Sequence, residues 1–182
     1  MKKYELTGEV KVKFGVTFKR IRALIDFGNV KKGELGGFIE KEENLSHENN
    51  AWVYDDAEVS GNARVYDDAR VYGNARVYGN AKVSGNARVS GDAWVSGDAW
   101  VYGDAWVYGN ADYVLIGRVG SRFGFTTFFR NKNNEIYVSC GCFLGTLAKF
   151  RKKVKETHGT DTKYAKVYQA AADLAEMQIL NK

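Results

Sequence analysis

The segment 117–122, Gly-Arg-Val-Gly-Ser-Arg, contains the residue types that bind small anions. Its two glycines let backbone N–H groups approach an anion, and its two arginines can hold a phosphate group through paired hydrogen bonds. Thr126 and Arg130 share one face of the next predicted strand and extend the site. The predicted anion or phosphate site therefore consists of Arg118, Ser121, Arg122, Thr126 and Arg130. The alternative is a glycine-rich link whose arginines are merely solvated.

Cysteine and histidine are scarce, which limits redox, metal and acid–base chemistry. The sequence has two of each, namely Cys140, Cys142, His47 and His158. The cysteines lie two apart in a predicted strand, so both thiols are expected to enter a core. With His158 they would supply at most three zinc ligands, whereas structural zinc sites use four. We therefore expect no metal, no cofactor and no disulfide scaffold, and we predict a reducing, cytoplasmic location.

A six-residue repeat dominates the middle of the chain. From Ala51 the pattern Ala-x-Val-[Tyr/Ser]-[Gly/Asp]-[Asn/Asp] occurs ten times without interruption. Within each unit Ala and Val share one face of an extended strand, and the pair of residues that follows suits a corner. One unit cannot bury its own Ala and Val, so the units must coil and stack. A six-residue period with frequent glycine excludes an α-helix.

Written as Val-[Tyr/Ser]-x-x-Ala-x, the unit resembles the hexapeptide repeat of left-handed parallel β-helices. In that family three units make one triangular coil, so the resemblance implies 18-residue coils of the same hand here. The stretch 21–46, with Gly33, Gly36 and Gly37, is similar to the N-terminal signature of phage, prophage and bacterial hexapeptide-repeat proteins. Members of that family are labelled as transferases or polymer-forming proteins, without an established activity.

Coils of this size would place one tryptophan on each of three outer faces near the end of the repeat. Contiguous exposed aromatic side chains mark interfaces in many proteins. We therefore predict a homotrimer or homodimer. The predicted interface contains Trp94, Trp100, Trp106, Tyr102 and Tyr108. The alternative use of these rings is a ladder of stacked Arg and aromatic side chains along each face.

The predicted fold is mainly β and has three regions. Residues 1–50 form an N-terminal β cap with a degenerate first coil, 51–112 form the hexapeptide β-helix, and 113–182 form a small α+β domain. The last region is basic, with 12 Lys and Arg against 5 Asp and Glu, in a chain of net charge +5.

The α+β domain breaks the six-residue period. Its predicted strands are 113–119, 123–130 and 135–140, and the last two are joined by a turn at 131–134. Two helices follow, with apolar side chains at helical spacing. The side chains predicted to face the core are Leu147, Phe150, Val154, Tyr164, Val167, Tyr168, Ala171, Leu174 and Ala175.

Acyl transfer is the first enzyme function to consider, because many hexapeptide β-helix proteins are acetyltransferases. Those enzymes resemble one another in using a histidine base and a cleft between subunits for acyl-CoA. No histidine lies within 51–112, and no insertion interrupts the ten units. A general base must reach the proton that it removes, so the sequence gives little support for this chemistry.

We therefore predict a non-catalytic, oligomeric binding protein. The resemblance to phage proteins implies a counter-defence role in the host cytoplasm, by binding a host effector protein or by sequestering an anionic nucleotide signal. The alternatives are an acyltransferase that uses acyl-CoA and a structural protein that self-assembles. Nucleic acid is not an expected partner, and no apolar run reaches the roughly 18 residues that span a membrane.

Overall fold

The computed structural model describes residues 2–180, and the chain divides into two compact units. The first unit contains the chain up to Asp104 together with Tyr108–Asn110. The second contains Ala105–Val107 and the chain from Ala111 onward. In the part of the chain that is described, no helix combines the length and the apolar character needed to cross a membrane.

Three strands and a short 3-10 helix precede the repeat. β1 spans Tyr4–Lys13, β2 spans Val16–Ala23, and β3 spans Leu35–Ile39; the 3-10 helix is Glu42–Asn44. β1 and β2 form an antiparallel hairpin, and β3 continues the sheet on the other side of β2. β1 is therefore an edge strand of this sheet.

The repeat folds into ten two-residue strands of a β-solenoid. These strands are β4 (Trp52–Val53), β5 (Glu58–Val59), β6 (Arg64–Val65), β7 (Arg70–Val71), β8 (Arg76–Val77), β9 (Lys82–Val83), β10 (Arg88–Val89), β11 (Trp94–Val95), β12 (Trp100–Val101) and β13 (Trp106–Val107). Strands 18 residues apart pair in parallel and in register, which gives the columns β4-β7-β10, β5-β8-β11 and β6-β9-β12. The predicted mainly β solenoid fold is confirmed.

The interior of the solenoid is lined by the Ala and Val of each repeat. All ten valines from Val53 to Val107 are fully buried, as are the alanines that begin the repeats. Backbone hydrogen bonds join successive coils, and the N–H of Tyr54 donates to the carbonyl of Val71 at 2.8 Å. Removal of these methyl groups from water stabilises the stacked coils.

Each corner of a coil has glycine, or an Asp in its place, followed by Asn or Asp. Gly85 has φ +65°, and a Cβ there would lie 2.9 Å from the backbone nitrogen of Gly103, one coil further on. Asp67 replaces glycine at one corner with φ +58°, and its carboxylate accepts the Gly85 N–H at 3.1 Å. Asn side chains donate to the Asn or Asp one coil further on; the pairs are Asn50–Asp68, Asn62–Asn80, Asn74–Asp92, Asn80–Asp98 and Asn86–Asp104.

The N-terminal strands cover the first coil. β3 pairs in parallel with β5, so it occupies the position of a preceding coil on that face. Trp52 is fully buried, and its ring meets those of Tyr4 and Phe27 edge to face, with centroids 6.1 and 5.3 Å away. Gly36 permits this packing because a Cβ there would lie 2.6 Å from the Val53 carbonyl oxygen.

The second unit is an antiparallel sheet with two helices. The strands pair in the order β14 (Tyr113–Val119), β15 (Gly124–Arg130), β16 (Ile136–Cys140) and β17 (Phe143–Thr146). α1 spans Leu147–His158 and α2 spans Lys163–Leu180, and the 3-10 helix Asn110–Asp112 precedes β14. The buried core of this unit consists of Phe128, Ile136, Val138, Leu147, Phe150, Val154, Ala165, Ala171, Ala172, Ala175 and Ile179.

Two expectations for this unit were wrong. β17 was not predicted, and the chain reverses at Gly141, which has φ +58°, so Cys142 lies exposed in a turn instead of entering the core. On α2 the buried face is made mainly of alanines, whereas Leu174 is 48% exposed. Tyr164, which was also expected to face the core, is 39% exposed. Ile179 and the partly buried Tyr168 do pack against the core.

Candidate functional site

The second unit contains a pocket of about 300 Å³ that we call the sheet–helix pocket. It lies where the β14–β15 turn, the β16–β17 turn and the two helices meet. Its lining consists of Ser121, Arg122, Gly124, Phe125, Cys140, Gly141, Cys142, Phe143, Phe150, Lys153, Val154, Thr157, His158 and Tyr168. This volume is at the small end of the range of about 300–1,000 Å³ that is typical of ligand sites.

Hydrogen-bond donors from two separate elements line the sheet–helix pocket. Ser121 and Arg122 come from the β14–β15 turn, and Lys153 and His158 come from the second half of α1. Ser121, Arg122 and Lys153 are exposed to solvent, so an incoming ligand can reach them. A guanidinium, an ammonium and a hydroxyl group are the donors that bind phosphate oxygens.

Aromatic rings form the inner wall of the same pocket. Phe150 is buried, and its ring centroid lies 5.5 Å from that of Phe143 and 5.7 Å from that of Tyr168. The imidazole of His158 stacks on the Tyr168 ring at 5.7 Å. The pocket thus combines a cationic entrance with ring faces against which a planar group can stack.

Tyr168 is held in place by the β14–β15 turn and by Cys140. Gly120 has φ +74°, and a Cβ at this position would overlap the Tyr168 hydroxyl oxygen. The Cys140 sulfur lies 4.0 Å from that oxygen. Burial, reinforced by Cys140, raises the pKa of Tyr168 to about 12, so its hydroxyl group stays protonated at neutral pH and can donate a hydrogen bond.

The structure brings together only part of the anion site predicted from sequence. Ser121 and Arg122 line the pocket, whereas Arg118 lies outside its lining and is exposed. Thr126 is fully buried, and its hydroxyl group donates to the Cys140 sulfur at 3.2 Å. The Arg130 side chain is held by contacts with Asp112, Asn134 and the Ile179 carbonyl.

Arg130 is committed to side chains and backbone within the second unit. Its Nε lies 2.8 Å from the carboxylate of the buried Asp112, and its two NH groups donate to Asn134 and to the Ile179 carbonyl. Leaving Asp112 without this partner would be costly because a buried carboxylate needs a counter-charge. Arg130 is therefore not available to an anion in the sheet–helix pocket.

Sequence reasoning missed Lys153, His158 and Tyr168 as site residues. Lys153 lies within a basic run on α1, which is typical of a solvated helix face, and nothing in the run distinguishes it from Lys152. The turn that carries Arg122 and the helix that carries Lys153 are separated by three strands. Among residues 2–180, no group of three or more His, Cys, Asp or Glu is placed to hold a metal ion.

The aromatic residues predicted to form an interface have different surroundings. Trp94 is 44% exposed and lies under the Arg76 guanidinium at 4.8 Å. Trp100 is half-buried between Tyr102, at 4.9 Å, and the Lys82 ammonium, at 5.5 Å. These contacts correspond to the stacked ladder that was the alternative interpretation. Trp106 is also half-buried, and Tyr108 is exposed.

His47 is the only histidine of the first unit, and its side chain is locked in place. Its Nδ1 accepts the Lys3 backbone N–H at 3.2 Å, and its ring stacks on Tyr4 at 4.2 Å. Burial lowers the pKa of His47, although Glu42 opposes this shift. The neutral ring must therefore carry its proton on Nε2, 3.8 Å from Glu42. Neither nitrogen has a free lone pair with which to act as a base.

Comparisons with known proteins concern the solenoid. The family model described as the YdcK beta-solenoid repeat matches residues 69–84 and 81–97. The chain is also 36% identical over 63 residues to "Uncharacterized acetyltransferase YdcK" of Escherichia coli (strain K12). That alignment covers 30% of this chain and 19% of the relative, so the chain spans about a fifth of the length of the relative. The family-model match supports a β-solenoid.

Proposed function

We propose that the protein binds a small phosphate-bearing ligand of the nucleotide class in its sheet–helix pocket. The observation that carries the proposal is the convergence of Arg122, Lys153 and Ser121 at the entrance to a pocket whose inner wall is aromatic. Charge-assisted hydrogen bonds from Arg and Lys would hold the phosphate, and the rings of Phe143 and Tyr168 would contact the base. A volume of about 300 Å³ suits a mononucleotide-sized ligand.

The charge of the second unit supports the same ligand class. Residues 113–182 have a net charge of +7, from 12 basic and 5 acidic side chains, and a basic surface attracts anions before contact. The proposal does not include catalysis by His47, which precedes the solenoid, because its side chain is held by Lys3 and Tyr4. We place this binding function in a reducing cytoplasm, where Cys140 and Cys142 would remain free thiols.

Isothermal titration calorimetry with AMP, ADP and inorganic phosphate tests the proposal. The double variant Arg122→Ala/Lys153→Ala should bind AMP at least about tenfold more weakly, because hydrogen bonds to charged groups contribute about 1.5–3 kcal/mol each. Lys152→Ala is the matched control, since Lys152 is the neighbouring cation on α1 but does not line the pocket. Arg118→Ala should also bind normally. Equal affinity in the double variant and in Lys152→Ala would refute this site.

An acyltransferase is the second candidate function, and the name of the E. coli relative is the observation that favours it. This function requires acetyl-CoA to bind in a cleft beside the solenoid. Calorimetry with acetyl-CoA separates the two candidates, because the sheet–helix pocket is too small for the whole cofactor. Tight binding of acetyl-CoA that survives Arg122→Ala/Lys153→Ala would favour the acyltransferase.

Counter-defence is the biological setting that the resemblance to phage proteins implies for this binding function. In that setting the ligand would be a nucleotide signal of the host, or the partner would be a host effector protein. Native mass spectrometry of the protein purified from bacterial cells would reveal a bound nucleotide or a bound host protein by its mass.

A further inference from the structure

The first unit contains a groove of about 320 Å³, which we call the hairpin groove. The β1–β2 hairpin contributes Phe14, Val16 and Phe18 to its lining, and the solenoid contributes Tyr78 and Trp94. Sites for small molecules are concave and mostly apolar, with a few polar groups at set positions. The hairpin groove has this composition, because charged side chains described below join the four aromatic rings.

The register of the hairpin explains which of its side chains face the groove. Phe18 pairs with Lys11 and Val16 pairs with Lys13, so these four side chains lie on one face of the hairpin. Lys11 and Lys13 reach Glu58 of the solenoid, at 2.6 and 3.1 Å. This face of the hairpin is therefore turned toward the β5-β8-β11 column, and the groove lies between the two.

The rings of the hairpin groove are accessible to a molecule from outside. Phe18 is buried, whereas Tyr78 and Trp94 are exposed. Phe14 is 89% exposed and has φ +51°, which is uncommon for a bulky residue in a turn that favours Asn. An apolar ligand in the groove would remove parts of these rings from water, which favours binding.

The charges beside the groove are unequal. Glu58 is buried, and its carboxylate is contacted by Lys11, by Lys13 and, at 3.3 Å, by the Arg76 guanidinium. Three positive charges and one negative charge leave this cluster with a net charge of +2. Among the described residues that line the groove, Glu58 is the single acid. The cluster therefore favours a ligand with a negative charge.

Arg76 is oriented by two contacts at the edge of the groove. Its Nε faces the Glu58 carboxylate, and its guanidinium carbon lies 4.8 Å from the centroid of the Trp94 ring. The contact through Nε leaves the two Nη groups as further donors, and a guanidinium can bind a carboxylate through two parallel hydrogen bonds. Donors for an anion thus lie directly beside a ring against which a planar group can stack.

We propose that the hairpin groove binds a small aromatic anion of the aryl carboxylate class. The ring of the ligand contacts Phe18, Tyr78 and Trp94, and its carboxylate is held by Arg76 and Lys13. An aromatic cation would be repelled by the same cluster, and a neutral ring would leave the excess charge unbalanced. This site lies in a different unit from the sheet–helix pocket and does not depend on the proposed function.

Isothermal titration calorimetry of the full chain with naphthoate tests the proposal. Naphthylmethylammonium is the matched ligand, because it has the same rings and the opposite charge. The wild-type protein should bind naphthoate at least about tenfold more tightly than naphthylmethylammonium, since only the anion gains from the cationic cluster. Absence of naphthoate binding, or equal affinity for the two ligands, would overturn the proposal.

Two pairs of variants locate the bound anion. Trp94→Ala should weaken naphthoate binding about fivefold through the loss of stacking, whereas Trp100→Ala, on another face of the solenoid, should bind normally. Lys13→Gln should also weaken binding, whereas Lys19→Gln should not, because Lys19 pairs with Val10 on the opposite face of the hairpin. Thermal unfolding of each variant reports whether it is folded.

A last variant separates this site from the sheet–helix pocket. Arg122→Ala/Lys153→Ala should bind naphthoate as the wild-type protein does, whatever its affinity for AMP. Loss of naphthoate binding in this double variant would place the anion in the sheet–helix pocket and overturn the proposal. Undiminished binding in both Trp94→Ala and Lys13→Gln would overturn it as well.

Discussion

The two units bury their apolar side chains in different ways. In the first unit each coil contributes the same inward Ala and Val, and each short strand pairs with one 18 residues away. In the second unit a single core joins a sheet to two helices, and the ring of Phe150 alone meets those of Phe128, Phe143 and Tyr168. Stability is therefore spread over many equal contacts in the solenoid and concentrated in a few contacts in the second unit.

The same difference decides where a ligand or a partner can bind. Identical coils present nearly identical outer faces, and the groove beside Trp94 forms where the β1–β2 hairpin adds a feature that does not repeat. The second unit has no repeats, so its turns and helices meet in a pocket with a unique set of side chains. We therefore propose the second unit as the place where a phosphate-bearing ligand binds.

The largest expected effect is the selective unfolding of the second unit by Phe150→Ala. Removal of a buried phenylalanine ring costs about 3–5 kcal/mol, and Phe150 belongs to the buried core that joins the sheet and the two helices of this unit. Scanning calorimetry should show one transition that moves to lower temperature and a second, from the solenoid, that does not move.

Val83→Ala supplies the reciprocal control for Phe150→Ala. Val83 is fully buried in a middle coil, so the loss of its two methyl groups should reduce the free energy of unfolding of the solenoid by about 2 kcal/mol. It should leave the transition of the second unit in place. If either variant moved both transitions equally, the two units would unfold together and the comparison would be wrong.

A smaller effect is expected from Gly120→Ala at the edge of the sheet–helix pocket. The new Cβ would overlap the Tyr168 hydroxyl group, and the alanine would have to adopt a positive φ. Overpacking costs about 1–3 kcal/mol, and displacement of Tyr168 should weaken AMP binding as well. Calorimetric titration and thermal unfolding of the same variant would measure both effects.

Gly159→Ala separates the two causes in that prediction. Gly159 also has a positive φ, +75°, but a Cβ there would have no neighbour within 4 Å, and Gly159 does not line the sheet–helix pocket. The substitution should cost about 1–3 kcal/mol because of backbone strain and should leave AMP binding unchanged. An equal loss of AMP binding in both variants would show that backbone strain, and not the position of Tyr168, affects the pocket.

The solenoid could be predicted from the sequence because the same inward Ala and Val and the same corner residues recur in every six-residue unit. Spacing alone placed Val83 and its counterparts in the interior. The pairing of strands followed from the 18-residue coil that the resemblance to hexapeptide-repeat proteins implies. The sheet–helix pocket could not be predicted in this way, because Arg122, Lys153 and Tyr168 come from separate elements whose packing sets their distance. Cys142 shows the same limit, since a two-residue alternation does not reveal a turn at Gly141.

Glu58 is the position at which the repeat itself departs from its pattern. The residue before each repeat valine is Arg, Lys or Trp in nine units and an acid only at Glu58. The structure explains the exception, because Lys11 and Lys13 of the hairpin contact this carboxylate. Burial alone would raise the pKa of Glu58, but the hydrogen bonds from these lysines outweigh it and the pKa is lowered.

Glu58→Gln is therefore expected to change the acid dependence of stability. The ionised carboxylate should stabilise the first unit fully above pH 4.5, its ordinary pKa, and the stabilisation should disappear as the pH falls through the lower pKa of the folded state. Glu58→Gln should cost about 2 kcal/mol at pH 7, less than the 3–5 kcal/mol for a fully buried pair, because the lysines are partly solvated. Urea unfolding at several pH values should show a shallower acid decline in Glu58→Gln than in the exposed control Glu43→Gln. Parallel declines in the two variants would mean that the hairpin is not held to the solenoid by this charge.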